Sequence, residues 1–156
     1  MFGFFKKYDA HLCSAVSGRI LNKGEPLVGV KIERELYYID DKTREDSTLT
    51  DENGCFSLPE VNIRSKAPGW LFAEQRTQQH ITAYFSDKSY VLWSTSLKLI
   101  QPIPAYNIKL SQLNADLSNS EIAFTFRNED NSNMPHAAYS ICRWESDCKI
   151  QQIIED

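Results

Sequence analysis

The chain has 156 residues, 42% of them hydrophobic and 12% aromatic, which is enough apolar content for one domain with a real core. Its formal net charge of −4 argues against a general nucleic-acid or anionic-membrane binder, because such a protein needs a basic surface. No apolar stretch approaches the length of a membrane span, so we expect no membrane insertion and a single domain over residues 1–156.

The amino terminus carries only a short apolar run. Residues 1–5 precede Lys6 and Lys7, and this run is too short for the hydrophobic region of a secretory signal. We therefore expect a cytoplasmic protein, with the periplasm as the alternative.

Residues 16–32 have the pattern of two strands joined by a tight turn. Alternate apolar positions in residues 16–20 predict a strand with one buried face. Residues 22–26 supply the turn, with a glycine that tolerates positive φ and a proline that fixes its own φ. We expect the next strand to begin near Leu27, with a bulge at Gly29 that keeps the following apolar residues facing the core.

An acidic segment follows between residues 33 and 52, where eight acidic and three basic residues give a local charge of −5. One interpretation is an exposed edge strand and loop whose charge prevents aggregation. The other is a surface that steers a basic protein partner. Tyrosines flanked by acids make good contact anchors, so the predicted partner-binding residues are Glu35, Tyr37, Tyr38, Asp40, Asp41, Glu45 and Asp46.

A second turn and strand are predicted over residues 50–58. The Asp51 side chain can accept hydrogen bonds from its own turn, and Gly54 can occupy the left-handed region. Phe56 and Leu58 then alternate toward the core.

Together these segments resemble the carboxypeptidase regulatory-like domain, a transthyretin-like or immunoglobulin-like β-sandwich. The matching motifs are V-x-G-x-I at residues 16–20, G-x-P-L-x-G-V-x-I at 24–32 and T-D-x-x-G-x-F-x-L at 50–58, within a signature region over 12–61. Residues 4–14 are also similar to the start of short, stand-alone bacterial members of this group. The resemblance implies an accessory, adhesive or binding module, and none of the matching positions is a catalytic residue of the family.

Residues 62–156 either complete the sandwich or add an extension to it. Residues 62–69 are expected to form a crossing loop, and a short helical turn fits residues 72–79. The strands expected in this half span residues 81–85, 90–94, 106–113, 122–126 and 137–144, with a short strand or an acidic tail at 148–156. The whole chain is therefore predicted to be an all-β, Ig-like or transthyretin-like antiparallel sandwich of about seven to nine strands with little helix.

No catalytic or metal-binding pattern is evident in the sequence. It contains no G-x-S-x-G elbow and no glycine-rich phosphate loop. His11, His80 and His136 are scattered without the spacing of metal ligands, so we expect no metal and no cofactor. The four cysteines are expected to be reduced, although Cys142 and Cys148 could close a disulfide in an exported protein.

These observations predict a non-enzymatic protein that acts by binding. The leading interpretation is a bacterial immunity- or antitoxin-like inhibitor that holds a toxic effector with a basic rim. The alternative is an accessory module of the cell envelope that binds glycan or an envelope protein. A small-molecule carrier or enzyme of the transthyretin type lacks the cluster of polar residues that it would need. The sequence leaves the oligomeric state open.

Overall fold

A computed structural model of the chain describes residues 7–66, 76–97, 101–126, 128, 135–144 and 148–153, the last range in its backbone only. Most of the described residues lie in strands, and one short helix occurs among them. The strands are β1 (Tyr8–Cys13), β2 (Val16–Asn22), β3 (Glu25–Pro26), β4 (Lys31–Tyr38), β5 (Thr43–Leu49), β6 (Cys55–Leu58), β7 (Val61–Ser65), β8 (Thr77–Phe85), β9 (Lys88–Leu97), β10 (Ala115–Asp116), β11 (Ile122–Phe126), β12 (His136–Ser140) and β13 (Cys148–Ile153), and the helix α1 is Pro104–Leu110.

The largest sheet has seven strands in the order β13-β11-β12-β9-β8-β4-β5, and all its pairings are antiparallel. Two smaller sheets contribute the other side of the core: β1 pairs β7, and β2 pairs β3, β6 and, in parallel, β10. The all-β sandwich predicted from the sequence is therefore confirmed. The described residues contain thirteen strands, more than the expected seven to nine, and the two-residue β3 and β10 account for only part of the difference.

One hydrophobic core joins the large sheet to the smaller ones. Ile32 and Trp93 enter it from the large sheet, while Leu12, Ile20 and Phe56 enter it from the smaller sheets. In β4 and β8, alternate residues point toward this core, and the residues between them point to the opposite face of the sheet. We call the core side the inner face and the opposite side the outer face.

A buried amide connects the layers by hydrogen bonds. The Gln79 side chain donates from Nε2 to the Leu12 carbonyl oxygen at 2.8 Å and accepts from Trp93 Nε1 at 2.9 Å. All three residues are fully buried or nearly so. Because a buried polar group without a partner is costly, this bridge fixes one alignment of β1 against β8.

The turn residues behave largely as the sequence predicts. The Gly29 N–H donates to the Thr50 carbonyl at 3.0 Å and the Thr50 N–H donates to the Val30 carbonyl at 3.0 Å, with Gly29 at φ 76°. Two residues, Gly29 and Val30, therefore lie opposite the single residue Thr50. With the glycine in the left-handed region, this arrangement confirms the bulge. The strand itself begins at Lys31, so the expected start near Leu27 is wrong, because the bulge bends the chain before the regular pairing begins.

A carboxylate ties the β2–β3 turn to β10. Asp116 accepts hydrogen bonds from the backbone N–H groups of Lys23 at 3.0 Å and Gly24 at 2.9 Å. It also accepts from the Ser118 hydroxyl and N–H. The bonds from Ser118, followed by those from the turn, hold the pKa of Asp116 well below its ordinary value.

Close backbone contact explains one glycine nearby. The Leu113 N–H donates to the Ser17 carbonyl at 3.0 Å, which brings this segment onto β2. A Cβ atom on Gly18 would overlap the Leu113 carbonyl group. Glycine at position 18 therefore permits the approach on which the β2–β10 pairing depends.

The strand predicted at residues 106–113 is wrong, because α1 occupies most of it. Tyr106, Ile108 and Leu110 alternate in sequence, but Ile108 is exposed, and the buried apolar residues are Ile103, Tyr106 and Leu110. Their spacing of three and four is that of a helix, and Pro104 occupies its first turn.

Other expectations from the second half need smaller corrections. Residues 62–65, expected in a crossing loop, belong to β7, because each of them pairs in register with a residue of β1. The helical turn expected over 72–79 is wrong in its described part, since β8 begins at Thr77. The hairpin of β8 and β9 is confirmed, and its turn residues Ser86 and Asp87 both have positive φ.

Near the carboxyl terminus, the strand expected at 122–126 is confirmed as β11. The strand expected at 137–144 is shorter, because β12 ends at Ser140. The backbone of β13 supports the short strand expected from residue 148, and residues 154–156 lie outside the described residues.

The last strands complete the core of the large sheet. Trp93 of β9 lies parallel to Phe126 of β11, with 6.2 Å between ring centroids. Its ring also meets Trp144 edge-on at 6.0 Å and Tyr106 of α1 edge-on at 5.2 Å. Aromatic residues from three separate elements thus pack around one buried indole.

The described cysteines are free thiols in two different environments. Cys13 and Cys142 are buried, and burial raises the pKa of Cys13 to about 11 and that of Cys142 to about 12. Cys55 is exposed. The side chain of Cys148, the other half of the alternative disulfide, lies outside the described residues.

Candidate protein-binding face

The acidic segment folds into the hairpin of β4 and β5 at one edge of the large sheet. The register pairs Lys31 with Leu49 at one end and Tyr37 with Thr43 at the other. Because successive side chains of a strand point to opposite faces, this register divides the predicted site residues between the two faces. The residues of β4, β5 and β8 that share the outer face are Lys31, Glu33, Glu35, Tyr37, Thr43, Glu45, Ser47, Leu49, Gln78, His80, Thr82 and Tyr84.

Two carboxylates of the predicted site stand directly opposite each other on this face. Glu35 of β4 pairs in register with Glu45 of β5, and we call these two residues the acidic pair. Neither forms an ion pair with any residue that the structure describes. Like charges directly opposite on adjacent strands destabilise a sheet, so the acidic pair has an unfavourable interaction in the free protein.

A tyrosine and a histidine flank the acidic pair. The Tyr37 hydroxyl donates a hydrogen bond to Glu35 Oε2 at 2.8 Å, and this bond raises the pKa of Tyr37. His80 of β8 pairs in register with Glu35 on the other side and meets the Tyr37 ring edge-on at 5.7 Å. One His80 ring nitrogen, Nδ1, lies 2.9 Å from the Ser94 hydroxyl. These contacts orient Tyr37 and His80 beside the two carboxylates.

Exposed apolar and aromatic side chains complete the outer face. Leu49 is 62% exposed at the end of β5. Tyr37, Tyr84 of β8 and Tyr139 of β12 are also exposed, and Tyr139 pairs in register with Ser94 of β9. Tyrosine supplies both apolar area and a hydroxyl at low entropic cost, which suits a contact surface.

Two predicted contact residues instead belong to the inner face. Tyr38 is only 5% exposed, because it lies one residue beyond the outward-pointing Tyr37. Asp46 binds the fully buried Arg34 through two contacts, at 2.9 Å to Nε and 2.5 Å to Nη2. We therefore remove Tyr38 and Asp46 from the predicted contact surface and assign Asp46 to the neutralisation of a buried arginine.

The other two acids lie at the end of the hairpin. Asp40 pairs with Arg44 through Oδ2 and Nη2 at 2.8 Å. Partial burial opposes its ionisation, but the hydrogen bonds from Arg44 and from the Lys42 N–H outweigh that effect and lower the pKa of Asp40. Asp41 is exposed with φ 59°, a turn conformation that aspartate tolerates. Of the seven predicted residues, the structure brings Glu35, Tyr37 and Glu45 together on one surface.

Sequence reasoning missed part of this surface. Glu33 shares the parity of Glu35, so strand alternation could have identified it; its carboxylate pairs with Lys31 at 3.2 Å. His80, Tyr84 and Tyr139 come from distant strands. No local pattern marks them, because only the pairing of β8 with β4 and of β12 with β9 brings them to this face.

The described residues offer no sign of a metal centre, since no group of three or more potential metal ligands occurs among them. Within the same residues, no helix has the length and apolarity needed to cross a bilayer. The outer face presents carboxylates, hydroxyls and aromatic rings, which are suited to noncovalent contact.

The structure thus defines an all-β sandwich with an acidic, tyrosine-bearing sheet face. The chain belongs to the family described as "Domain of unknown function (DUF6795)", whose model matches residues 16–120, more than half of the chain. Searches of curated proteins and of solved structures found no match. The similarity of residues 12–61 to carboxypeptidase regulatory-like domains stays a prediction.

Proposed function

We propose that this protein is a non-enzymatic binding protein of the bacterial immunity or antitoxin class, which holds a toxic effector through the outer face of its large sheet. The observation that carries this proposal is the acidic pair. Glu35 and Glu45 face each other without a compensating cation among the described residues. A basic partner would relieve their repulsion, so the free energy that this repulsion costs the free protein would be recovered on binding.

The surroundings of the acidic pair support a protein partner. Tyr37 and Leu49 are exposed on the same face and add aromatic and apolar contact area beside the charges. Such a mixture of charged and aromatic groups is typical of surfaces that bind proteins. Complementary charge would mainly accelerate association with a basic rim, which suits an inhibitor that must reach its target before damage occurs.

The proposal is tested by isolating a partner and then measuring its association rate. The tagged protein is purified from its native source, and stoichiometric partners are identified by mass spectrometry. With that partner in hand, Glu35→Lys combined with Glu45→Lys should slow association by about tenfold at low salt and by much less at high salt. Equal rates for the wild type and the double variant at low salt would contradict the proposed site.

The matched control is Glu25→Lys combined with Glu52→Lys. Both residues are exposed, and they lie away from the outer face, in β3 and in the turn before β6. The control changes the net charge by the same amount, so a general charge effect would slow both double variants equally. Asp40 and Asp46 are left unchanged in these experiments, because each neutralises an arginine within the fold.

A second candidate function is an accessory module of the cell envelope that binds glycan or an envelope protein. It is favoured by the exposed tyrosines on one sheet face, Tyr37, Tyr84 and Tyr139, since aromatic rings can stack on sugars. Cell fractionation separates the two candidates. Recovery in the envelope or periplasm, with binding to glycan that a Tyr84→Ala change weakens, would support the second candidate over the first.

A further inference from the structure

We infer that the partner binds by adding a basic strand to the open edge of β5, so that the large sheet continues into the partner. This inference rests on the proposed function and specifies how the partner is held. β5 is the terminal strand of the large sheet, and its only described strand partner is β4.

The hydrogen-bond pattern shows which backbone groups of β5 face outward. In an antiparallel pair, residues alternate between those whose N–H and C=O face the partner strand and those whose groups face away. The Thr50 N–H donates to the Val30 carbonyl, and the register from Lys31–Leu49 onward continues without a shift. The backbone groups of Arg44, Asp46 and Thr48 therefore face β4, and those of Thr43, Glu45, Ser47 and Leu49 face the open edge.

This edge has the length and regularity that strand addition requires. β5 contains seven residues and no proline, lysine or bulge, so charge is the protective device that this edge carries, on Arg44, Glu45 and Asp46. Its two inner-face charges are neutralised within the fold, Arg44 by Asp40 and Asp46 by Arg34. Glu45 alone among the charged residues of β5 remains unpaired within the described structure, and it lies on the outer face.

The side chains along the edge specify the chemistry of the added strand. A residue placed beside Glu45 on the outer face would neighbour Glu45 directly, with Glu35 one strand spacing of about 4.8 Å further into the sheet, so a lysine or arginine is favoured there. Leu49, 62% exposed at the end of the same row, favours an apolar neighbour. Backbone bonds would give affinity and these side chains would give specificity, as in other cases of strand addition.

A second copy of this chain fits the edge less well. A symmetric antiparallel pairing centred on Arg44, Glu45 or Asp46 would place a charged side chain directly opposite its own copy. Like charges in that position are destabilising. A pairing centred on Ser47 would avoid this, but it would place each Glu45 opposite Leu49 of the other copy, which supplies no opposite charge. The observations therefore favour a basic strand from a different protein.

The test uses the full chain and a synthetic probe. The probe is a seven-residue peptide, as long as β5, with lysine at alternate positions of the row that includes Glu45, valine at the position of that row beside Leu49, and valine or threonine elsewhere. A second peptide has the same side chains but carries N-methyl groups on the alternate amides that would bond to β5. Binding is followed by amide hydrogen exchange and by NMR chemical shifts at low salt.

The outward amides give a specific signature. In the free protein, the amides of Glu45, Ser47 and Leu49 should exchange faster than those of Arg44 and Asp46, which bond to β4. The unmethylated peptide should slow exchange at the three outward amides, and the N-methylated peptide should not. Equal binding of both peptides would overturn the inference but leave the acidic face as a cation-binding surface. Absence of binding up to about 1 mM would also overturn it.

A variant of the edge separates strand addition from charge attraction. Ser47→Pro removes an outward N–H without removing a bond to β4, and it should weaken peptide binding about tenfold or more. Ser47→Ala is the matched control and should bind as the wild type does. Both variants are checked for an unchanged circular dichroism spectrum and melting temperature.

The outcomes also distinguish this inference from the proposed function. If the Glu35→Lys and Glu45→Lys changes slow partner association while Ser47→Pro has no effect, the proposed function survives and strand addition is wrong. If the wild type forms a dimer that Ser47→Pro dissociates, the edge belongs to a second copy, and the inference of a basic partner strand is overturned.

Discussion

The acidic pair predicts that one substitution at the proposed binding face stabilises the free protein. Glu45→Lys replaces a carboxylate opposite Glu35 with an ammonium group. The two residues form a pair whose backbone groups face away from each other, in which Cα atoms are about 4.5 Å apart and side chains are close. At about 6 Å in water, two unit charges interact by about 0.7 kcal/mol. Loss of repulsion and gain of attraction should together raise the free energy of unfolding by about 1 kcal/mol.

Thermal unfolding measures this change. For a chain of this size, about 1 kcal/mol corresponds to an increase of about 2–4 °C in Tm. The control Glu52→Lys changes the net charge equally at an exposed turn position without an opposing acid in the register. In about 1 M salt the screening length falls to about 3 Å, so most of the gain at position 45 should disappear.

A Glu45→Lys variant that is no more stable than Glu52→Lys at low salt would show that Glu35 and Glu45 do not repel each other measurably. A gain that persists unchanged at high salt would also contradict this repulsion, because the stabilisation would then not be electrostatic. A variant that is more stable than the wild type but binds its partner more slowly would show that the acidic pair is retained for binding.

Further predictions concern the fold that supports this face. Asp116→Asn should lower stability at neutral pH by about 1–3 kcal/mol. Folding lowers the pKa of Asp116, so the contribution of its carboxylate to the free energy of unfolding is present above the unfolded-state pKa of about 3.9. That contribution should shrink as the pH falls below this value, and urea titrations at several pH values would show it. Gly18→Ala should lower Tm, since the new methyl group meets the Leu113 backbone; an unchanged Tm would contradict the close approach. Asp46→Asn should cost about 2–3 kcal/mol in chemical denaturation, because it weakens the pairing of a buried arginine. Among the described cysteines, maleimide labelling of the native protein near neutral pH should modify Cys55 first, as peptide mapping would show.

The sequence predicts the fold best where turn chemistry and strand alternation agree. The bulge at Gly29 and the hairpin around Ser86 and Asp87 follow from residues that tolerate positive φ between apolar alternations. Helix α1 is not evident from the sequence, because Tyr106, Ile108 and Leu110 fit a period of two as well as a period near four. Only the burial of Ile103 and the exposure of Ile108 decide between the two periods, and burial depends on the rest of the fold.

The candidate site is predictable in part for a similar reason. The alternation of side chains along β4 places Glu35 and Tyr37 on one face of the sheet and Tyr38 on the other. The same alternation divides the acidic segment between the two faces, whatever the order of strands in the sheet. The pairing of Arg34 with Asp46 follows from the hairpin register, which a turn placed at Asp41 would determine. Which distant strands lie near β4 cannot be predicted in this way, because the order of strands in the sheet depends on long-range packing.

The aromatic contacts of Trp93 mean that the cooperative structure of this protein extends beyond the residues that the family model matches. The family match ends at residue 120, yet the indole inside it is covered by Phe126 and Trp144, which come later in the chain. A fragment cut at the family boundary would expose that indole and leave the backbone of β9 without its neighbour β12. Such a fragment would be prone to self-association, so loss of solubility after truncation at residue 120 would show that the cooperative structure continues past that residue.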